Sequence, residues 1–373
     1  MAPVRLLSRA VACLLLATAA LGVAADEANA IRVTSRGSLP LPMSARDAAG
    51  AEVELTGLSG ITWLGDDRYA SVMDNSHWLV LLRLTLADDG APEAVSDIVV
   101  RRLGERHDYE DVAPCPEALV RRIAARRERQ GMSGPGTCLL LCEEDTPAIR
   151  AVALDTGELL GIVPIPEPLR SPRPNRGLES LAVDMPRGEI WTANEEALAA
   201  DGPAATEGAG TVVRLSRITV PGAEGVAPAA AVFAYLVDPP HTFARVIRGD
   251  PLSGISALVS LGGGRLLVLE RSGGPGVPPF ENRIYLVDAA RGTDVSATAR
   301  DLAAATVPRL EKQLLWRDSL GCNVEGLCLG PAGADGTRTL VAVTDNGGLP
   351  GPSQILTFGL AAPAGTATAP TSP

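Results

Sequence analysis

The stretch Leu178-Glu179-Ser180-Leu181 is one of five copies of a short pattern, an apolar residue, then Glu or Ser, then small and apolar residues. The other copies are Leu58-Ser59-Gly60-Ile61, Tyr109-Glu110-Asp111-Val112, Ile255-Ser256-Ala257-Leu258 and Val324-Glu325-Gly326-Leu327. Each copy precedes a second strand-like run that ends on an acid. Repeated hairpins of this kind are typical of radial sheets, which bring equivalent positions to one axis. The pattern therefore predicts an all-β fold, a β-propeller with five or six blades of antiparallel strands.

The spacing of the copies leaves the number of blades open. Their Glu or Ser positions lie 51 to 77 residues apart, whereas a four-stranded blade needs about 40 to 50 residues. Insertions or an unrecognised sixth blade account for the excess. One insertion is predicted as a helix near 117–130, because Pro116 opens and Gly131 closes an apolar stripe. We also expect a leading strand at 31–34 to complete the last blade, which otherwise lacks one strand.

The first residues have the pattern of a secretory signal peptide. Arg5 and Arg9 precede an apolar run at 10–25, which is shorter than the roughly 20 residues that a membrane span needs. We predict cleavage after residue 25, or after residue 30, and a periplasmic or secreted protein with no membrane association afterwards. Residues 31–360 would form a single propeller domain, and the Ala/Thr/Pro-rich residues 361–373 would form a disordered tail.

The charge of the chain restricts the classes of partner. The formal net charge is -11, and an acidic protein repels phosphate backbones, so we expect no nucleic acid partner. We expect a monomer that acts on a small-molecule ester or phosphoester.

The sequence does not decide which cysteines form disulfides. Five cysteines remain after cleavage of the signal, and this odd number leaves at least one of them unpaired within the chain. Cys115 with Cys138 or Cys142, and Cys322 with Cys328, are the pairings considered for an exported protein.

The repeated positions bring acids toward one axis. We predict that Glu110, Glu179 and Glu325 converge there, with Ser59 and Ser256 in the equivalent places. The acids that close the following strands are Asp74, Glu143 or Glu144, Glu195, Glu270 and Asp345. Such carboxylates raise one another's pKa values, so a cation, bound protons, or arginines such as Arg176 and Arg271 must offset the repulsion.

A hard cation is the favoured solution, because oxygen ligands suit Ca²⁺ or Mg²⁺ and no His/Cys cluster suits zinc. The predicted ligands are Asp74, Asn75, Glu179, Glu195, Glu270, Glu325 and Asp345. The alternative is that the acids accept backbone N–H bonds from neighbouring blades and hold the ring together.

Nucleophilic catalysis by serine has little support. The chain has no G-x-S-x-G elbow and has three histidines. His107, two residues before Tyr109-Glu110, is the one best placed near the ring as a proton carrier or substrate contact. The alternative is a turn histidine without a role. We predict that Arg176, Arg271 and His107 contact substrate.

The order of these motifs resembles the exported phytase-like family, named for the esterase-like activity of phytase. The resemblance covers about residues 50–360 and rests on seven segments. They are Gly57-Leu58-Ser59-Gly60-Ile61, Met73-Asp74-Asn75, Asn175-Arg176-Gly177-Leu178-Glu179-Ser180-Leu181, Gly254-Ile255-Ser256-Ala257-Leu258 with Leu267-Val268-Leu269-Glu270-Arg271, and Asn323-Val324-Glu325-Gly326-Leu327 with Thr344-Asp345-Asn346. The resemblance implies a propeller that hydrolyses phosphomonoesters or esters. It also implies several calcium ions beside basic residues that bind phosphate. This chain matches the acids, but beyond Arg176 and Arg271 it has no basic cluster beside them, which disfavours phytate as the substrate.

The sequence therefore leads to the hypothesis of a cation-assisted hydrolase of phosphate or carboxylic esters, with Glu110, Glu179 and Glu325 as the catalytic candidates. Two alternatives stay open. One is a non-catalytic propeller that binds a ligand or a protein, and the other is a metal-dependent propeller of the lactonase type.

Overall fold

The computed structural model describes residues 31–220, 229–297, 301–304, 306–319, 321–346 and 351–361. The predicted signal peptide at 1–25 lies outside the described residues, and so does the predicted tail beyond residue 361. Within the described residues, no helix is long and apolar enough to cross a membrane.

The strands form five blades around one axis, and the four strands nearest the axis in each blade are antiparallel. The first blade contains β2 (Ser44–Asp47), β3 (Glu52–Glu54), β4 (Leu58–Trp63), β5 (Arg68–Met73), β6 (Ser76–Leu86) and β7 (Pro92–His107). The second contains β8 (Tyr109–Pro114), β9 (Cys138–Glu143), β10 (Ala148–Ala153) and β11 (Leu159–Val163). The third contains β12 (Leu178–Asp184), β13 (Glu189–Asn194), β14 (Thr211–Thr219) and β15 (Ala229–Val237). The fourth contains β17 (Leu252–Gly262), β18 (Arg265–Gly273), β20 (Phe280–Asp288) and β21 (Lys312–Asp318). The fifth contains β22 (Asn323–Ala332), β23 (Arg338–Asp345), β24 (Gln354–Ala361) and β1 (Arg32–Pro40).

The five blades close into a ring. The innermost strands are β4, β8, β12, β17 and β22, and each contacts the next in this cyclic order, with β22 back against β4. These strands are the five sequence copies, so the predicted propeller is confirmed with five blades.

The leading strand completes the last blade. β1 pairs antiparallel with β24, and the register places Val33 opposite Leu360. The predicted closing strand at 31–34 is therefore confirmed, and it is longer than predicted. Because the first and last parts of the chain share one sheet, the ring has no open seam between blades one and five.

Insertions account for the excess length between the copies. The helix α1 (Glu117–Arg129) connects β8 with β9, as predicted, and buries Leu119 and Ile123 in the apolar layer between blades two and three. The pair β2–β3 extends the first blade, and β16 (Ala244–Arg245) pairs with β19 (Gly276–Val277) outside the blades. Short 3₁₀ helices lie at Glu167–Arg170, Ala199–Asp201 and Ala289–Arg291.

The core is divided among the blades. Five apolar clusters lie one between each pair of adjacent blades, and Trp191 and Phe233, for example, belong to the cluster between blades three and four. Each blade packs both faces against its neighbours, which explains the nearly continuous burial of inner strands such as β17 and β23. The structure contains no disulfide among the described cysteines, all five of which are free thiols.

Candidate functional site

The repeated Glu or Ser occupies a β-bulge at the start of each innermost strand. In blade three, Leu178 pairs with Asn194 and Ser180 pairs with Ala193, so Glu179 has no partner in the ladder. Bulges lie at the same place in the other four blades. A bulge adds one residue to a strand and re-aims its side chain. This set of residues is Ser59, Glu110, Glu179, Ser256 and Glu325, here called the bulge ring.

A second ring follows from the strand register. In each hairpin, the residue before the bulge pairs with a residue of the partner strand, and the next residue along that partner strand's chain is the equivalent position in all five blades. Leu178, for example, pairs with Asn194, so Glu195 is this next residue. The equivalent residues, here called the upper ring, are Asp74, Glu144, Glu195, Arg271 and Asp345.

The strand register decides between Glu143 and Glu144 in blade two, and it replaces Glu270 by Arg271 in blade four. Glu143 pairs with Tyr109, so Glu144 is the upper-ring residue of blade two. Glu270 pairs with Ile255, so the upper-ring residue of blade four is Arg271, a cation where the sequence reading had placed an acid.

The structure places Glu270 elsewhere. Its Oε1 accepts hydrogen bonds from Tyr235 and from Lys312, both at 2.6 Å, and its Oε2 accepts from the backbone N–H of Asp238 at 3.0 Å. These partners belong to blades three and four, away from the two rings. The bonds satisfy the carboxylate, so Glu270 holds two blades together and is not brought together with the other predicted ligands.

His107 is also outside the two rings. Its Nδ1 lies 2.6 Å from Oε1 of Glu143, whose Oε2 is paired with Arg150 at 2.6 Å. Glu143 is fully buried between these partners. Its ion-pair partners are thus Glu143 and Glu105, and its predicted role as a proton carrier or substrate contact stays a prediction.

Arg271 is the centre of a buried ion network that joins blades three, four and five. Its guanidinium contacts Oε1 of Glu325 and Oε1 of Glu195 and lies 3.7 Å from Oε1 of Glu179. Asn323 accepts a further hydrogen bond from Arg271 at 3.1 Å. Burial lowers the pKa of Arg271, but the surrounding carboxylates outweigh this effect and the net shift is upward. Arg271 thus stays charged and neutralises one side of the site.

Arg176 occupies the rim on the same side. Its Nη1 lies 2.9 Å from Oε2 of Glu195, its Nε lies 3.8 Å from Oε1 of Glu196, and its side chain is 27% exposed. The structure therefore brings Arg176, Arg271, Glu179, Glu195 and Glu325 together. Both arginines are already engaged by carboxylates.

The opposite side of the site contains acids without such a partner. Single oxygens of Asp108, Glu110 and Glu144 lie within 4.8 Å of one another, and oxygens of Glu144, Glu179 and Glu195 form a second group of the same size. Among the described residues, no lysine or arginine forms an ion pair with the first group. Ser59 donates a hydrogen bond of 2.8 Å to Glu110, which links the bulge residues of blades one and two.

Part of the predicted structural role is seen at these acids. Glu144 accepts from the backbone N–H of Gly177 at 2.8 Å, and Asp108 accepts from the backbone N–H of Asn75 at 2.8 Å. Asp111, beside the bulge, accepts from Val112 at 2.8 Å and from Leu181 at 2.7 Å. The bonds from Gly177, Asn75 and Leu181 join neighbouring blades, yet they leave the first carboxylate group without an ion pair among the described residues.

The pKa values of the acids on both sides of the site are raised in spite of the nearby arginines. Burial raises the pKa of Glu110 and of Glu179 well above the usual range, and neighbouring acids add to the effect. Burial likewise raises the pKa of Glu144 and of Glu325 to about 7. Burial, together with Asp345 and Asp108, raises the pKa of Asp74 to about 6. The site therefore favours bound protons or a bound cation.

The donor set fits a hard cation. Carboxylate oxygens dominate, and Glu325, whose side chain is 9% exposed, keeps Oε2 without a hydrogen-bond partner among the described residues. A buried oxygen of this kind has free coordination capacity. The residues that fit the predicted ligand set are Asp74, Glu179, Glu195, Glu325 and Asp345, and Asp108, Glu110 and Glu144 extend it. Asn75 contributes its backbone N–H to Asp108 and lies beside Asp74.

Glycines make room for the upper ring. A Cβ at Gly57 would lie 1.8 Å from Oδ1 of Asp74, and a Cβ at Gly254 would lie 2.5 Å from Cγ of Glu195. At Gly177 it would lie 2.6 Å from the carbonyl oxygen of Glu144. Each of these glycines stands two residues before a bulge residue. The upper-ring residues therefore pack directly against the backbone at these glycines.

Asp108 stands at the same position in blade two, two residues before Glu110, and sequence reasoning missed it. This position is Gly in three blades and Asn323 in blade five. An acid at this position in blade two is the signal that could have identified Asp108.

The other end of the central channel is apolar. A cavity of about 540 Å³ is lined by the later residues of all five innermost strands, among them Trp63, Val183 and Leu329. The channel thus changes from acidic at the bulges to apolar at the opposite mouth.

Five antiparallel blades around a funnel of carboxylates define the class: a five-bladed β-propeller with an acidic central site. The chain belongs to the phytase-like family, whose model carries the description "esterase-like activity of phytase" and matches residues 53–348. A search of curated proteins found no match.

Solved structures that match the chain share little sequence with it and have low TM-scores. A streptogramin B lyase structure has 11% identity, covers 89% of this chain and 98% of that chain, and gives a TM-score of 0.31. A protein from Lactobacillus plantarum has 11% identity, covers 90% of this chain and 97% of that chain, and gives a TM-score of 0.31. A tail fibre of a Staphylococcus aureus phage has 10% identity, covers 87% of this chain and 52% of that chain, and gives a TM-score of 0.35.

Proposed function

We propose that this protein is a hydrolase of carboxylic or phosphate esters that works with a divalent cation, Ca²⁺ in preference to Mg²⁺, in the acidic funnel. The observation that carries the proposal is the group Asp108, Glu110 and Glu144, whose buried oxygens lie within 4.8 Å of one another. Buried carboxylates without a counter-charge are costly, and an oxygen-binding cation removes this cost. The family name supports the reaction class.

A bound cation would polarise the ester oxygen and lower the pKa of a water molecule. The residues that would hold it are drawn from Asp74, Asp108, Glu110, Glu144, Glu179, Glu195, Glu325 and Asp345. A carboxylate that is not needed as a ligand can accept the proton of the attacking water, and Glu110, Glu179 and Glu325 stay the candidates. A bound cation would favour the ionised form of such a carboxyl, which is the form that a general base needs.

The ion pairs of the two arginines limit how much negative charge the substrate can carry. Arg271 and Arg176 both contact carboxylates, so neither presents an unshared charge to a phosphate group. This observation favours esters with little negative charge over heavily phosphorylated substrates such as phytate. It is also compatible with a lactone, which is a cyclic carboxylic ester.

We further propose that the protein acts as a monomer in the periplasm or outside the cell. The acidic net charge of -11 and the apolar run at 10–25 support this placement.

The test is a panel of p-nitrophenyl acetate, p-nitrophenyl butyrate, a γ-lactone and p-nitrophenyl phosphate, assayed before and after treatment with EDTA. We expect turnover of at least one carboxylic ester, its loss in EDTA and its recovery with Ca²⁺. The variant Glu110→Gln should remain inactive after Ca²⁺ is restored, whereas the surface variant Glu158→Gln should recover. Absence of turnover in protein that binds Ca²⁺ would favour the non-catalytic binding propeller.

A further inference from the structure

Blade four breaks the pattern of the upper ring. Four blades place an acid there, Asp74, Glu144, Glu195 and Asp345, whereas blade four places Arg271. The backbone register of Arg271 is the same as that of the four acids, so the difference lies in the side chain and not in the fold.

The guanidinium of Arg271 lies among the ligands that a hard cation would choose. It contacts oxygens of Glu195 and Glu325, lies 3.7 Å from Glu179, and donates to the amide oxygen of Asn323 at 3.1 Å. Three carboxylates and one amide oxygen around a single positive centre form a typical oxygen ligand set for Ca²⁺.

A buried oxygen of Glu325 has no hydrogen-bond partner among the described residues. Oε2 of Glu325 is buried and accepts no hydrogen bond from the described residues, although Oε1 of the same carboxylate contacts Arg271 and Asn323. A guanidinium has a fixed fork and cannot reach every oxygen around it, whereas a spherical ion can be coordinated from all sides. The unpartnered oxygen is the coordination capacity that Arg271 does not use.

We propose that Arg271 takes the place of a divalent cation among Glu179, Glu195 and Glu325. The funnel thus has two cation positions, one filled by this side chain and the other, at Asp108, Glu110 and Glu144, open to an ion. The inference rests on the proposed function. It explains why a site with acids from several blades would take up fewer ions than its carboxylates could hold, and it makes residue 271 the determinant of that number.

The experiment compares Ca²⁺ stoichiometry in variants of the full protein. EDTA-treated and dialysed wild type and Arg271→Met are titrated with CaCl₂ by isothermal titration calorimetry, and thermal melts are recorded with and without Ca²⁺. We expect Arg271→Met to bind one ion more than the wild type. We also expect Ca²⁺ to raise its melting temperature by a larger amount than that of the wild type.

Two control variants separate the cation position from a general loss of charge. Arg271→Lys keeps the positive charge and should bind as many ions as the wild type. Arg214→Met removes another buried arginine, which pairs with the single carboxylate of Asp201 at 2.6 Å. It should also keep the wild-type stoichiometry, because one carboxylate does not form a site.

Several outcomes overturn the inference. They are equal stoichiometry in wild type and Arg271→Met, an equal effect of Ca²⁺ on both melting temperatures, or an Arg271→Met variant that stays unfolded in Ca²⁺. The proposed function fails in a different way. If the wild type binds no ion and Arg271→Met binds one, the replacement by Arg271 stands and the cation-assisted hydrolase falls.

Discussion

Glu110 shows most directly how burial and charge combine at one residue. It accepts a hydrogen bond from Ser59 at 2.8 Å and lies beside Asp108 and Glu144, with no ion pair from the described lysines and arginines. Burial raises its pKa, Asp108 raises it further, and the bond from Ser59 opposes both effects. A carboxylate in this setting either binds a proton or faces a cation.

The first prediction concerns this residue. Glu110→Gln should lower kcat by about 10²- to 10⁴-fold, the range for loss of a general acid–base group. It should not lower the melting temperature of the cation-free protein, because glutamine is close in shape and charge to the protonated carboxyl that burial favours at this position. Steady-state kinetics and differential scanning calorimetry check the two parts. A variant with full activity and a strongly lowered melting temperature would show that Glu110 has a structural role only.

Some of the residues of the site, but not all, could be predicted from the sequence. The repeat positioned Glu179, Glu195 and Glu325 correctly in one cluster, because equivalent places in a propeller meet at the axis. It could not separate Glu143 from Glu144, or Glu270 from Arg271, because adjacent residues of a strand point to opposite sides and one residue of register decides between them. Only the observed pairing with Tyr109 and Ile255 shows which residue faces the funnel.

At the scale of single elements, the bulged hairpin is the unit of the site. In three of the five blades the residue two before the bulge is glycine, namely Gly57, Gly177 and Gly254. The carbonyl oxygen of Glu144 would lie 2.6 Å from a Cβ at Gly177, a distance that forces the backbone to shift. The site is therefore built by backbone fit as well as by side chains.

The second prediction follows from this fit. Gly177→Ala should destabilise the protein by about 1–3 kcal/mol, the usual cost of overpacking, and should reduce activity because Glu144 and Glu179 move. Gly208→Ala is the matched control, since nothing lies within 4 Å of its added Cβ. Chemical denaturation and ester turnover provide the measurements. Equal stability of the two variants would contradict the account of the upper ring.

Other elements were less accessible to sequence reasoning. The helix at Glu117–Arg129 was predicted, because proline and glycine mark its ends and its buried stripe is regular. The outer strand Lys312–Asp318 was missed. Its side chains are mainly half-buried or exposed, so it lacks the continuous apolar run of the inner strands.

The stability of the whole propeller depends on closure of the ring of blades. The strand Arg32–Pro40 pairs with Gln354–Ala361, and Val33 is 8% exposed in the cluster between blades four and five. The contact joins parts of the chain that are more than 300 residues apart, which restrains the blades from opening.

The third prediction tests closure. Val33→Asp places a charge in the apolar cluster between blades four and five and should lower the free energy of unfolding by about 2–4 kcal/mol. Thr34→Asp, at the neighbouring exposed position, should have little effect. Urea denaturation of both variants checks the difference. Similar midpoints would show that this strand does not secure the ring.

The fourth prediction concerns pH. Burial raises the pKa of Glu144 and of Glu325 from 4.5 to about 7 in the folded protein. Between these values the folded state binds more protons than the unfolded state, so stability falls as the pH rises. EDTA-treated protein should therefore melt at a higher temperature at pH 5.5 than at pH 8.

Calcium should oppose this trend, because protons and the ion compete for the same carboxylates. A ligand that binds only the folded state adds about 2.7 kcal/mol at 100 times its Kd. Ca²⁺ should therefore raise the melting temperature at pH 8 more than at pH 5.5. Thermal melts at both pH values provide the check. A cation-free protein that is more stable at pH 8 would contradict the raised pKa values of these two carboxyls.

Anomalous X-ray diffraction from crystals grown in CaCl₂ tests the central claim most directly, namely that carboxylates from separate blades hold a cation at the axis. The account predicts a calcium peak with oxygens of Asp108, Glu110 and Glu144 at about 2.3–2.6 Å. A funnel without an anomalous peak, in crystals whose protein was saturated with Ca²⁺ at neutral pH, would contradict it.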